Sequence, residues 1–135
     1  MTLPLTYISC GAVVTHHGKV LLVRDTTGTK WGLSMGEPDL GESEEQTAIR
    51  EIREETGLAV TIVPGFSKTA QFKYLREGTL AEKHMVIFLA RSSTDAYKPN
   101  TQEIAHIGWF TPQEAMKLDI YPEAKEIISQ AIKHP

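Results

Sequence analysis

The segment from Met35 to Leu58, MGEPDLGESEEQTAIREIREETGL, is the feature that most constrains how this chain can fold. It holds seven Glu and one Asp but only two Arg. On an α-helix, residues three and four apart share a face, so Glu51, Glu54 and Glu55 project within an arc of about 100°. The pattern therefore predicts a helix with one acidic face.

Local signals predict that this helix covers residues 43–56. Ser43 is a favourable N-cap, and Gln46 three residues later completes a capping box. Gly57 follows as a helix stop, because glycine readily adopts the left-handed conformation that ends a helix. Ile52 points away from the acidic face and is expected to anchor the helix on a sheet.

The crowding of carboxylates on this helix has two interpretations, since like charges three and four residues apart repel. Arg50 and Arg53 offset part of the repulsion. One interpretation is a site for a hard divalent cation such as Mg²⁺ or Mn²⁺, which prefers oxygen ligands. The other is an acidic face that contacts only solvent.

The composition favours a globular protein with a single domain over residues 1–135, since 41% of residues are hydrophobic and 23% are charged. The formal net charge of -3 argues against a duplex nucleic acid partner but is compatible with a small phosphorylated ligand. No apolar run reaches the roughly 18 residues that span a bilayer, and a signal peptide pattern is not found. We therefore expect a cytoplasmic protein that does not enter a membrane.

Apolar runs and turn signals predict an alternation of strands and helices. Strands are expected at residues 7–14, 20–23, 31–33, 58–65, 67–74, 84–90 and 103–110. Two further helices are expected to begin near Thr111 and Pro122. We interpret His16, His17 and Gly18 as an exposed hairpin turn. Cys10, the single cysteine, is interpreted as a buried strand residue.

The spacing inside the acidic segment matches a family signature, G-x5-E-x7-R-E-U-x-E-E-x-G-U, where U is aliphatic. Its nine constrained positions are filled by Gly36, Glu42, Arg50, Glu51, Ile52, Glu54, Glu55, Gly57 and Leu58. Ordinary residue frequencies give a chance match on the order of one in ten million for a chain of this length. The segment thus resembles the Nudix box of MutT-like proteins. The resemblance implies the Nudix fold, an α/β/α sandwich with a mixed β-sheet.

The resemblance also implies an activity. Nudix proteins typically hydrolyse a nucleoside diphosphate linked to another group, with Mg²⁺ or Mn²⁺ as cofactor. Carried over by position, Glu51, Glu54 and Glu55 would bind the metal, and Gly36 belongs to the same metal site. Arg50 would hold the Glu side chains through charge-assisted hydrogen bonds.

Catalysis is expected to depend on Glu51, Glu54 and Arg50, and on Glu103 outside the box. Similar proteins often carry a catalytic or metal-binding Glu near the position of Glu103. In the family the general base can be a box Glu or a Glu from a later loop. The alternative for Glu103 is an exposed residue at the start of a strand.

The remaining box positions and their surroundings include one departure from the family. Glu42 would stabilise the loop before the helix or join the outer metal shell, and Gly57 would be structural. Many Nudix enzymes have Pro-Gly-Gly where this chain has Ser34, Met35 and Gly36. Met35 must then fit where glycine often allows an unusual φ.

Substrate choice depends on residues outside the box. The stretch from Gly65 to Phe88 is more loosely similar to the asymmetrical diadenosine tetraphosphate hydrolases. On that similarity Phe72 or Tyr74 would stack on a base and Lys83 would contact phosphate. Packing on one face of a strand is the alternative for the two rings, and a solvated turn is the alternative for Lys83.

Three functions follow from these resemblances. The first is a pyrophosphohydrolase acting on a small nucleotide, with dinucleoside polyphosphates ahead of other substrates. The second is a MutT-like nucleoside triphosphate pyrophosphatase, and the third is a Nudix-fold binding module without catalysis. A homodimer is compatible with each of them.

Overall fold

The computed structural model describes residues 5–135, which form six strands and three helices. In chain order the elements are β1 (Leu5–His16), β2 (Lys19–Asp25), β3 (Met35–Gly36), α1 (Glu44–Thr56), β4 (Val60–Arg76), β5 (Thr79–Ser92), β6 (Ile104–Phe110), α2 (Pro112–Lys117) and α3 (Pro122–Ile132). None of these helices has the length and apolar content needed to cross a membrane.

The strands form one mixed sheet in the order β4, β5, β1, β2 and β6, and β3 pairs separately with β1. β1 and β5 run parallel, whereas the other pairs are antiparallel. Helix α1 packs on one face through Ala48 and Ile52, and α3 packs on the other through Ile127 and Ile128. The predicted α/β/α sandwich is confirmed.

The side chains of β1 alternate between the two faces, as expected for a strand covered on both sides. Cys10, Ala12 and Val14 belong to the apolar cluster under α1, and Val13 belongs to the cluster under α3. Cys10 is fully buried, which confirms its interpretation as a core residue. Because β1 pairs with β2, β3 and β5 and also contacts α1, it positions most of the molecule.

The strand predicted to end at Pro64 and Gly65 is instead the first part of β4. Between Ile62 and Ser67 the pairing with β5 shifts register, so residues 63–66 form a bulge. Proline has no N–H to donate and Gly65 has a φ of 88°, so this sequence bends the strand without ending it. The two strands predicted at 58–65 and 67–74 therefore form a single strand.

The strand predicted at residues 31–33 is wrong, because this segment makes only isolated bridges. The paired strand is β3, where Met35 lies opposite Gly11 with an ordinary negative φ. A Cβ on Gly11 would overlap the carbonyl oxygen of Ser34, so the close approach of the two segments requires glycine. The chain just before the box is thus fixed to the centre of the sheet.

His16 lies at the end of β1, which corrects its placement in an exposed turn. The His16 Nδ1 atom is 2.8 Å from the Ser92 carbonyl oxygen, and the His16 ring centroid is 5.8 Å from that of Trp109. The turn consists of His17 and Gly18, which both have positive φ. The half-buried His16 is therefore a structural residue of the strand.

The ends of α1 follow the predicted signals. The Ser43 hydroxyl accepts a hydrogen bond from the Gln46 N–H, and the Gln46 side chain accepts one from the Ser43 N–H. Gly57 ends the helix with a φ of 77°, and its N–H donates to the Arg53 carbonyl oxygen. The capping box and the glycine stop are confirmed, as are helices that begin at Pro112 and Pro122.

Candidate active site

Arg50 is the centre of a hydrogen-bond network on the acidic face of α1. Its Nε and Nη2 atoms donate to the two carboxylate oxygens of Glu42, at 2.8 and 3.0 Å. Its Nη1 atom donates to Glu51 at 2.8 Å and to Glu54 at 3.1 Å, and Nη2 also donates to the Glu37 carbonyl oxygen. One guanidinium therefore fixes three carboxylates and the loop before the helix.

Glu42 is held as a permanent anion. Besides the two bonds from Arg50, its carboxylate accepts hydrogen bonds from the Asp39 N–H and the Thr47 hydroxyl, at 3.0 and 2.7 Å. These donors, with Arg50 first, lower the pKa of Glu42 to about 2. The geometry fits the predicted role of stabilising the loop before the helix.

The Glu51 carboxylate lies against Gly36. A Cβ placed on Gly36 would overlap that carboxylate, so glycine leaves the space that Glu51 occupies. Burial raises the pKa of Glu51, the bonds from Arg50 oppose this, and the charges of Glu54 and Glu103 add to it. The side chain is only 16% exposed.

Glu55 is half-buried and is held by a neutral donor. The Ser34 hydroxyl donates to Glu55 Oε1, and the backbone of Met35 lies close enough to oppose the rise in the pKa of this carboxylate. Burial raises the pKa of Glu55 to about 7, and the charges of Glu51 and Glu103 contribute in the same direction. Within residues 5–135, no Lys, Arg or His forms an ion pair with it.

The structure brings the sequence-predicted acidic residues close to one another, but it exposes them to different degrees. The charge of Glu51 interacts with those of Glu54, Glu55 and Glu103. The Glu54 side chain is 56% exposed and accepts a hydrogen bond from Arg50. In the part of the chain that is described, no three His, Cys, Asp or Glu side chains already form a metal-binding cluster. The donor set nevertheless fits a hard divalent cation, because the half-buried Glu55 carboxylate, which forms no ion pair among the described residues, gains from one.

A cavity of about 500 Å³ lies beside Glu55 and contains the three predicted substrate contacts. The Phe72 and Tyr74 ring centroids are 5.6 Å apart, and Lys83 Nζ is 5.6 Å from the Phe72 centroid. Burial lowers the pKa of Lys83, opposed by the charges of Asp25, Glu55 and Glu37. The cavity therefore combines aromatic surface, one partly buried cation and a carboxylate.

Sequence reasoning missed several residues of this cavity, including Tyr7, Asp25 and Tyr121. The Tyr7 hydroxyl hydrogen-bonds the Tyr74 hydroxyl, which joins β1 to β4 across β5. Tyr7 reaches the cavity because it lies opposite Lys83 in the parallel pairing of β1 and β5. Only the strand register could have indicated this position.

Comparisons with known proteins agree on one family. The family model described as NUDIX domain matches residues 6–131. A MutT-like protein of Streptomyces ambofaciens is 30% identical over 112 residues, which cover 82% of this chain and 68% of that protein. An 8-oxo-(d)GTP phosphatase of Mycolicibacterium smegmatis is 32% identical over 106 residues, 78% of this chain.

The chain spans 31% of the length of the Mycolicibacterium smegmatis relative and 40% of a Mycobacterium tuberculosis relative. Among solved structures, the binary complex of a C. elegans Ap4A hydrolase matches with a TM-score of 0.76 and 25% identity, over 92% of this chain and 93% of that one. A MutT protein from Methanosarcina mazei Go1 has a TM-score of 0.74 at 20% identity, over 97% and 96% of the two chains. At 20% identity, the match to the Methanosarcina mazei protein shows a shared fold and nothing about activity.

Proposed function

This chain belongs to the Nudix domain family, and we propose that it is a metal-dependent pyrophosphohydrolase in which water attacks a phosphoanhydride of a nucleoside diphosphate-linked substrate. The proposal is based mainly on the position of Glu55. Its carboxylate interacts with Glu51 on α1 and also lines the cavity that holds Phe72 and Lys83. Carboxylates suited to a metal and groups suited to a nucleotide thus meet at one site.

The proposed metal ligands are Glu51, Glu54 and Glu55, with Gly36 at the same site. When bound, Mg²⁺ or Mn²⁺ neutralises phosphate charge and lowers the pKa of a coordinated water. Arg50 orders the carboxylates of Glu51 and Glu54. Gly36 keeps the space that Glu51 needs.

We propose Glu103 as the candidate general base outside the box, with a box Glu as the alternative; the base would accept the proton of the attacking water. Glu103 immediately precedes β6, its side chain is exposed, and its charge acts on both Glu51 and Glu55. A general base typically contributes at least about 100-fold to the rate, so Glu103→Gln should lower kcat by about that factor. A smaller effect would favour a box Glu as the base.

For the substrate we propose a dinucleoside polyphosphate. Support comes from the likeness to the C. elegans Ap4A hydrolase and from the cavity, where Phe72 or Tyr74 would stack on a base and Lys83 would contact phosphate. The rival substrate is a (d)NTP, supported by the 8-oxo-(d)GTP phosphatase relative. A cytoplasmic location and a homodimer stay predictions.

Product analysis tests the proposal. With Mg²⁺ or Mn²⁺, diadenosine tetraphosphate should give AMP and ATP, whereas a (d)NTP pyrophosphatase would give (d)NMP and pyrophosphate. Chelator should stop either reaction, and Glu54→Gln should remove most activity without unfolding the protein. Turnover that is unchanged by Glu54→Gln would contradict the metal site, and no turnover on any nucleotide would favour a binding module.

A further inference from the structure

Ser34 is a buried residue whose hydroxyl the proposed function does not yet use. Its exposed fraction is 3%, and its Oγ atom donates to Glu55 Oε1. The backbone of the next residue, Met35, lies beside the same carboxylate. The Ser34 hydroxyl is therefore the side-chain donor that holds Glu55.

The backbone at Ser34 is fixed by the sheet. Met35 is paired with Gly11 in the central strand, and glycine at that position lets the Ser34 carbonyl approach closely. A donor on such a rigid segment can hold a side chain in one orientation at little further cost in conformational entropy.

Glu55 is held differently from the other box carboxylates. The five hydrogen bonds of Arg50 reach Glu42, Glu51, Glu54 and a carbonyl oxygen, and none reaches Glu55. Neutral donors orient a carboxylate without cancelling its charge. The charge of Glu55 thus stays available to a cation that enters beside it.

We propose that Ser34 is a positioning residue that fixes the Glu55 carboxylate for a divalent cation bound beside the cavity. The inference rests on the proposed function, because it requires that Glu55 bind the metal. Ser34 itself touches neither the metal nor the substrate. It acts for Glu55 as Arg50 acts for Glu51.

Direct Mn²⁺ binding tests the inference without substrate. Free Mn²⁺ is measured by electron paramagnetic resonance during titration of the wild type, Ser34→Ala and Ser34→Cys, where the thiol keeps the shape but donates weakly. Loss of a partner of a metal ligand typically weakens binding about 10-fold, so both variants should bind Mn²⁺ about 10-fold more weakly. Thermal unfolding checks that each variant is folded.

Ser92→Ala is the matched control, because Ser92 is also a buried serine whose hydroxyl donates to a carbonyl oxygen, that of Thr94. It lies at the end of β5 and should bind Mn²⁺ like the wild type. In turnover assays, the Ser34 variants should need more Mn²⁺ for half-maximal activity. Their KM for nucleotide at saturating Mn²⁺ should stay within about twofold, since Ser34 does not contact substrate.

The outcomes separate the two proposals. If the wild type binds no Mn²⁺, the proposed metal site fails. If it binds Mn²⁺ and both Ser34 variants bind equally well, the positioning role fails while the proposed function stands. Loss of folding in both variants would assign Ser34 to stability and would also overturn the inference.

Discussion

At the residue scale, the pKa values of two carboxylates in this site, Glu42 and Glu55, are shifted in opposite directions. Glu42 accepts two hydrogen bonds from a guanidinium, and its pKa falls to about 2. Glu55 is half-buried and accepts a hydrogen bond from the neutral Ser34 hydroxyl, and burial raises its pKa to about 7. Glu42 is therefore a fixed anion, whereas Glu55 exchanges a proton near neutral pH when no cation is bound.

The shifted pKa of Glu55 predicts how the stability of the metal-free protein depends on pH. Because the pKa is higher in the folded state than in the unfolded chain, the stabilisation is complete below the unfolded value and is lost as pH rises through about 7. In chelator, the free energy of unfolding should fall by about 2 kcal/mol between pH 5.5 and 8.5. Urea denaturation at the two pH values measures this change.

Glu55→Gln should remove the Glu55 part of this pH dependence, since glutamine has no proton to lose, and leave the part that comes from Glu51, whose pKa is also raised. Glu45→Gln is the matched control, because Glu45 is an exposed carboxylate in the first turn of the same helix. The control should keep the dependence of the wild type. Equal stability of the metal-free wild type at both pH values would contradict the assigned environment of Glu55.

The sequence identified site residues where their arrangement depends on local spacing. Arg50 and Glu51 could be predicted because helical geometry alone places them together. Ser34 could not, since its hydroxyl meets Glu55 only after β3 pairs with β1. Tyr7 reaches Lys83 only through the β1 and β5 register.

At the element scale, boundaries that depend on contacts between residues close in sequence could be predicted, whereas those that depend on strand pairing could not. The limits of α1 depend on a capping box and a glycine, and both act within four residues. The bulge at residues 63–66 depends on pairing with β5, so Pro64 and Gly65 read as a strand end when the partner is unknown. Strand pairing is a long-range property that a local pattern does not contain.

The C-terminus of α1 gives a prediction at this scale, from two glycines with similar backbone geometry. Gly57 and Gly78 have φ of 77° and 79°, so alanine strains the backbone at either site. A Cβ at Gly57 would also lie 3.0 Å from backbone atoms of Lys98, whereas a Cβ at Gly78 meets nothing within 4 Å. Gly57→Ala should therefore cost about 1 kcal/mol more than Gly78→Ala in urea denaturation.

Equal losses for the two variants would mean that the segment around Lys98 yields without cost. The Lys98 N–H donates to the Thr56 carbonyl oxygen at 2.7 Å, which argues that the segment is fixed to the helix end. Lys98→Ala combined with Gly57→Ala should not recover the difference, because the 3.0 Å contacts include the Lys98 backbone.

At the scale of the whole molecule, the site is assembled from segments far apart in sequence. α1 and β3 both contact β1, which places the box carboxylates, while β4, β5 and the start of α3 complete the cavity through residues such as Phe72, Lys83 and Tyr121. Burial of Glu55 is a product of this assembly. A ligand that relieves the buried charge should therefore stabilise the fold as a whole.

Thermal unfolding at pH 8 measures this coupling. Mn²⁺ at about 100 times its dissociation constant stabilises a one-site protein by about 2.7 kcal/mol, which should raise Tm by about 5–10 °C. Glu55→Gln should show two changes together. Its Tm in chelator should exceed that of the wild type, because a half-buried anion is gone, and its response to Mn²⁺ should be largely lost.

Glu126→Gln provides the control for this pair of changes. Glu126 is exposed on α3, where its carboxylate accepts a hydrogen bond from Gln130, so this variant should keep both the Tm and the Mn²⁺ response of the wild type. A merely structural Glu55 would give a lower Tm in chelator and an unchanged response to Mn²⁺. A higher Tm in chelator with a lost Mn²⁺ response would show that Glu55 serves cation binding. A lower Tm with an unchanged response would show that it stabilises the fold.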